Sequence, residues 1–170
     1  LDRVYKKGGG VCTYVRKEIK SFVVKELTQI SDSSFHQLWI NVQVKKSKSL
    51  LVCTSYRPPD CPLACFEDFL KPTTIQALIK GKLIVILGDL NCNMLVDCPE
   101  NKALSETAAE LNLKQIITTL TRITDTSESL IDVTLVSSLY VIACTLNSNQ
   151  RPSPCLCFTQ DEINKASAFL

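Results

Sequence analysis

The residues best equipped for chemistry stand at the end of an apolar run. Leu83-Ile84-Val85-Ile86-Leu87 leads straight into Gly88-Asp89-Leu90-Asn91. A chain leaving a buried strand at that point presents a carboxylate and, two residues on, an amide on the same side. The carboxylate can align a water or bind Mg²⁺, and the amide can donate to a phosphate oxygen. The same residues also suit an Asx-rich turn that caps a strand, where Asp and Asn are common.

The elements around this corner can be read from hydrophobic patterning. Residues 83–87 are continuously apolar, the mark of a central strand covered on both faces. Residues 11–15 alternate and read as a strand, residues 21–27 as a short β-prone run, and residues 35–44 as a half-buried strand. The polar turn at 45–49 leads to a strand at 50–55, stopped by Arg57-Pro58-Pro59-Asp60, so the two strands should form a hairpin. Residues 65–80 have helical spacing, with a start or kink at Pro72 and an end at Gly81. Residues 101–113 form an amphipathic helix with Leu104, Ala108 and Leu111 inward. A short strand at 115–119 and a hydroxyl-rich turn at 124–129 precede strands at 130–137 and 139–146. Ser, Asn, Gln and Pro accumulate after Asn147, and residues 161–170 could be a stray helix. Together these elements predict an α/β layered protein rich in hairpins.

Length and composition fit that architecture. A chain of 170 residues suits one domain, and 45 % hydrophobic with 21 % charged residues is globular. No apolar run approaches the ~18 residues that a membrane span needs. A net charge of +2 neither demands nor excludes a polyanionic partner. Nine cysteines cannot all pair within one chain, and no CxxC occurs among them. They read as buried or idle thiols in a reducing intracellular setting rather than as a zinc site. His36, the single histidine, reads as structural or solvated. Arg57 and Arg122 could contact phosphate, and Lys45-Lys46-Ser47-Lys48 reads as a solvated turn or a DNA clamp. The start at Leu1 reads as a cut end of something longer.

Several motifs occur in a recognisable order: GGGVCTYVR, TSYRPPD, FEDFL, LIVILGDLNCNML, NLKQIITTLTRITDT and SLIDVTLVSS. From about Gly8 to about Val141 they resemble the endonuclease domain of LINE-type, non-LTR retrotransposons. That domain is part of the endonuclease/exonuclease/phosphatase superfamily. The resemblance implies a DNase I-like four-layer sandwich, with two packed, mostly antiparallel sheets flanked by helices. It implies a partial domain over 1–146, incomplete at both ends, followed by a divergent or non-homologous tail over 147–170. The implied activity is Mg²⁺-dependent hydrolysis of a phosphodiester, nicking DNA in the nucleus to prime reverse transcription. DNA is the implied partner, with a possible reverse transcriptase domain in a longer parent chain and no membrane.

Residue by residue, Asp89 matches the aspartate that aligns the attacking water, and Asn91 the asparagine that holds the scissile phosphate. Both are the implied metal-side residues. Tyr56 falls where a tyrosine hydroxyl meets the phosphate oxygens, and Asp132 matches the aspartate that orients a catalytic histidine. A hydroxyl of the Thr121-Arg122-Ile123-Thr124 stretch, Thr124 above all, and Arg122 fall where a side chain touches the DNA backbone. The family's metal-site asparagine and glutamate motifs would precede Leu1 and the Gly8-Gly9-Gly10 segment. Its closing Ser-Asp-His motif has no counterpart over 147–161. Because general acid–base participation is worth ~10²–10⁴ in rate, the chain should have little or no nuclease activity. A non-catalytic remnant, a weak nucleic-acid binder or another phosphoesterase of the superfamily are the alternatives.

Overall fold

The computed structural model describes residues 10–30, 35–43, 49–80 and 83–137. Within them lie β1 (Ser21–Val23), β2 (His36–Val42), β3 (Leu50–Tyr56), α1 (Lys71–Ile79), β4 (Leu83–Asp89), α2 (Pro99–Glu110), β5 (Lys114–Gln115), β6 (Arg122–Ile123), β7 (Glu128–Ser129) and β8 (Asp132–Val136). Six strands make one sheet in the order β1-β2-β3-β4-β8-β5, and β6 and β7 pair separately. The predicted hairpin is present as antiparallel β2 and β3, whereas β3 and β4 run parallel. A parallel pair requires a crossover, and the segment carrying α1 supplies it. The apolar run at 83–87 lies centrally between β3 and β8, as its composition predicts.

Alternation along the strands divides the core in two. Trp39, Leu51, Cys53, Ile84, Ile86, Val133 and Leu135 face one way, against Phe66, Leu70 and Ala77 and against Leu104, Ala108 and Leu111 of the α2 region. Leu38, Ile40, Val42, Leu50, Val52, Val85 and Val136 face the other way, where Val11, Val15, Ile19, Ile30 and Ile116 pack on them. Both helices therefore cover one face. The opposite face is the one on which the chemistry-bearing row described below projects.

Several expectations change. β2 is buried along all seven residues instead of half-buried. It lies inside the sheet, and its buried Gln37 amide is hydrogen-bonded there: Gln37 Oε1 accepts from Thr73 Oγ1 at 2.8 Å and from Trp39 Nε1 at 3.3 Å. A buried amide is tolerated when its partners are present. Residues 11–15 alternate in burial as expected but join no strand ladder among the described residues. They lie over the helix-free face, where the Thr13 and Thr54 hydroxyls meet at 2.6 Å. Alternation reports one-sided burial, which an extended segment lying on a sheet shows as well as a laddered strand.

The helix start expected at Pro72 is present, with α1 beginning at Lys71. A single wide turn (Phe66–Leu70), closed by the Lys71 N–H on the Phe66 carbonyl, runs directly into α1. Pro72 sits in the first turn of α1, where its missing N–H costs least. The strand expected at 115–119 is reduced to Lys114–Gln115, and the turn expected at 124–129 is closed by the β6–β7 pair. Gly81, the 45–48 cluster, the strand at 139–146 and the tail at 147–170 lie outside the described residues.

Candidate active site

Four side chains with chemical potential form a row across the sheet. His36 is paired with Tyr56, Tyr56 with Asp89, and Asp89 with Asp132. Residues paired in register point to the same side. The row continues the helix-free face, and Tyr56 packs half-buried at the margin of its apolar cluster. Strand spacing is ~4.8 Å, so Asp89 and Asp132 are immediate neighbours while His36 lies three spacings from Asp132.

The corner after β4 has three built-in constraints. A Cβ on Gly88 would lie 1.8 Å from the Ser55 carbonyl oxygen, and φ is +147° there. Only glycine lets the parallel pair close at this point. Asp89 Oδ1 accepts the Asn91 N–H at 2.9 Å. The Asx turn named above as the plainer alternative is thus present, and it engages one carboxylate oxygen. Asn91 has a left-handed backbone (φ 49°), and its Nδ2 donates to the Arg57 carbonyl at 2.8 Å. Period-two geometry ends at that residue, so its amide is placed by the turn and not by strand alternation.

Environment sets the charge state of both carboxylates. Burial pushes Asp89 above its ordinary range, opposed by the Asn91 N–H and by the charge of Arg122. Burial likewise raises Asp132; the Thr121 hydroxyl opposes this, and the charge on Asp89 adds to it. Two half-buried carboxylates on adjacent strands resist ionising together, and a cation between them relieves the conflict.

Of the residues expected to act, Tyr56, Asp89 and Asp132 are brought into one row, and Asn91 lies at its edge. Arg122 is exposed on β6 and within electrostatic reach of Asp89. Thr124 is committed to the hairpin turn, where its hydroxyl bonds the Ser127 hydroxyl at 2.8 Å and accepts the Ser127 N–H at 3.0 Å. Arg57 is buried, with its Nη2 on the Cys61 carbonyl at 2.7 Å, so a solvent-facing phosphate role is corrected. His36 is buried as well, stacked on Tyr56 at 5.9 Å between centroids; this overturns the solvated alternative and leaves the structural one. Its position in phase with Leu38 and Ile40 carried that information. Thr121 belongs to the 121–124 stretch that the resemblance sets near the DNA backbone, but its structural bond has no signal in the sequence. Its hydroxyl accepts the N–H groups of Ile131 and Asp132 at 3.1 and 3.2 Å, holding the start of β8.

The donor set suits a hard cation. Among the described residues no three His, Cys, Asp or Glu side chains are grouped to hold a metal by themselves. Mg²⁺, however, is commonly held by one or two carboxylates, with waters and substrate phosphates completing its shell. Asp89 and Asp132, with the Asn91 amide oxygen, fit that pattern. Cys65 and Cys92 do not compete for this role: burial pushes both up to about 12, so they remain protonated packing groups.

The fold itself is similar to that of solved structures. The chain superposes on the endonuclease domain of TRAS1, a telomere-specific non-LTR retrotransposon, with a TM-score of 0.57 and 18 % identity, covering 69 % of this chain and 54 % of that one. The fold is DNase I-like. This DNase I-like chain spans about half the length of the TRAS1 domain. Beta toxin 275-280 from Staphylococcus aureus also matches, at a TM-score of 0.42 and 15 % identity over 62 % of this chain and 43 % of the toxin. No family model and no curated protein matches the chain.

Proposed function

We propose that the chain is an endonuclease-type phosphodiester domain of the non-LTR retrotransposon kind, with DNA as its substrate class and Mg²⁺ as its cofactor. The observation that carries this reading is the Tyr56–Asp89–Asp132 register, with Asn91 fixed beside it. In this reading the Tyr56 hydroxyl donates to a phosphate oxygen and Asp89 orients the attacking water. Asn91, anchored through one amide N–H, offers its remaining donor and its oxygen to the phosphate and the cation. Arg122 adds a positive charge beside the bound backbone. Mg²⁺ would be held by Asp89 and Asp132 with Asn91, and it supplies charge neutralisation at the phosphoryl oxygens. Such a domain would act in the nucleus, within a parent chain that also carries a reverse transcriptase.

The single histidine of this sequence, His36, lies three strands from Asp132. In this reading the chain as given binds its substrate with little turnover, for want of a general acid–base group beside Asp132. Fluorescence anisotropy of a short duplex at fixed ionic strength, with Mg²⁺ or EDTA, tests the proposal alongside plasmid nicking. Mg²⁺ should tighten binding by the wild type and not by Asp89→Ala, and both proteins should nick at the same background rate. Salt-sensitive binding indifferent to both Mg²⁺ and Asp89→Ala would replace the proposal with a non-catalytic nucleic-acid binder. Mg²⁺-dependent nicking lost in Asp89→Ala would keep the site and overturn the inactivity. No helix among the described residues is long and apolar enough to cross a membrane.

A further inference from the structure

We infer that Arg57 is a positioning residue for the Asp89-Leu90-Asn91 corner. This rests on the phosphodiester reading of that corner and names the residue that holds it in shape. Arg57 directly follows Tyr56 and is 3 % exposed. Every carbonyl of the corner accepts from it. Its peptide N–H donates to the Asp89 carbonyl at 3.0 Å, and its Nη1 donates to the Leu90 and Asn91 carbonyls at 3.3 and 3.4 Å. Its own carbonyl accepts the Asn91 side-chain amide at 2.8 Å. One residue therefore grips Asn91 at both its backbone and its side chain.

The other half of the guanidinium reaches back into the crossover. Nη2 donates to the Cys61 carbonyl at 2.7 Å, and the guanidinium carbon lies 5.8 Å from the centre of the Phe66 ring. The planar fork thus ties the start of the wide turn (Phe66–Leu70) to the corner that bears Asp89. A left-handed residue with a Cβ persists only where its surroundings over-determine it, and these bonds do so at Asn91. Lysine cannot reproduce the arrangement, because a single ammonium lacks the rigid two-sided fork.

Nuclear magnetic resonance of the whole chain tests this. In Arg57→Lys the α2 amides should keep their wild-type shifts, while the Asn91 side-chain and backbone N–H groups exchange at least about tenfold faster. The apparent Kd for Mg²⁺, read at the same signals, should weaken about 10–100-fold, as for other residues that orient metal-binding groups. A purely structural role would raise exchange everywhere alike, and unchanged Asn91 exchange in folded Arg57→Lys would overturn the inference. Should the variant not fold, the wild type still decides. Resolved, slowly exchanging Arg57 Nη protons at low temperature support the clamp, and one averaged guanidinium signal contradicts it. A wild type without any Mg²⁺ response would end the proposed function, while the Asn91 and Nη readouts would still settle the role of Arg57.

Discussion

At the scale of single residues, the site is held against its own electrostatics. Asp89 and Asp132 are paired across β4 and β8, and burial raises both above the ordinary carboxylate range. A group whose folded pKa is raised contributes stability below its unfolded value, ~3.9 for Asp, and that contribution is lost as pH rises through the folded value. Ionising the pair thus destabilises the fold at neutral pH. Asp132→Asn should therefore stabilise the chain at pH 7 by about 0.5–1 kcal/mol, a modest gain because solvent screens half of the carboxylate. The gain should shrink toward zero near pH 3. Urea unfolding followed by the fluorescence of buried Trp39 at the two pH values measures it, and a variant less stable at both would contradict the repulsion. Asp89, Asn91, Tyr56 and Asp132 could be picked out of the sequence because each stands in a distinctive local motif. The bonds of Thr121 and of Arg57 could not, since most of their partners are backbone groups without side-chain identity, 10 or 11 residues away for Thr121 and up to 34 for Arg57.

At the scale of elements, the meeting of β3 and β4 decides whether the row exists. Gly88 faces the Ser55 carbonyl so closely that any Cβ collides with backbone, one residue before Asp89. Gly88→Ala should cost about 1–3 kcal/mol in backbone strain alone and lower the urea midpoint without changing the slope. A midpoint equal to that of the wild type would show that the pair has room to spare. The central strand, the β2–β3 hairpin and α2 were legible because long apolar runs and helical spacing are strong local signals. The wide turn before α1 was not, since Pro72 signals an interruption without saying how the chain absorbs it. Residues 11–15 differ in another way: burial on one side produces the alternating pattern, while the segment joins no strand ladder among the described residues. β2 was read as half-buried because Gln37 and Asn41 look solvent-facing until Thr73 and Trp39 are seen to bond Gln37 from within the fold.

At the scale of the whole molecule, one face of the six-stranded sheet is closed by α1 and α2, and the other ends in the row of His36, Tyr56, Asp89 and Asp132. Apolar packing occupies both faces, and the row continues the helix-free one at its margin, where Tyr56, Asp89 and Asp132 stay half-buried. The layered α/β class was legible from element order alone. The register that aligns four residues from four strands was not, because pairing depends on crossovers and turns that local patterning does not encode. The proposed function requires that row to hold a divalent cation. Substoichiometric Mn²⁺ added to the isotopically labelled chain broadens the resonances of whatever groups bind it. Broadening centred on Asp89, Asn91 and Asp132, and reversed by excess Mg²⁺, is the predicted result; broadening centred elsewhere, or none at these residues, would contradict it.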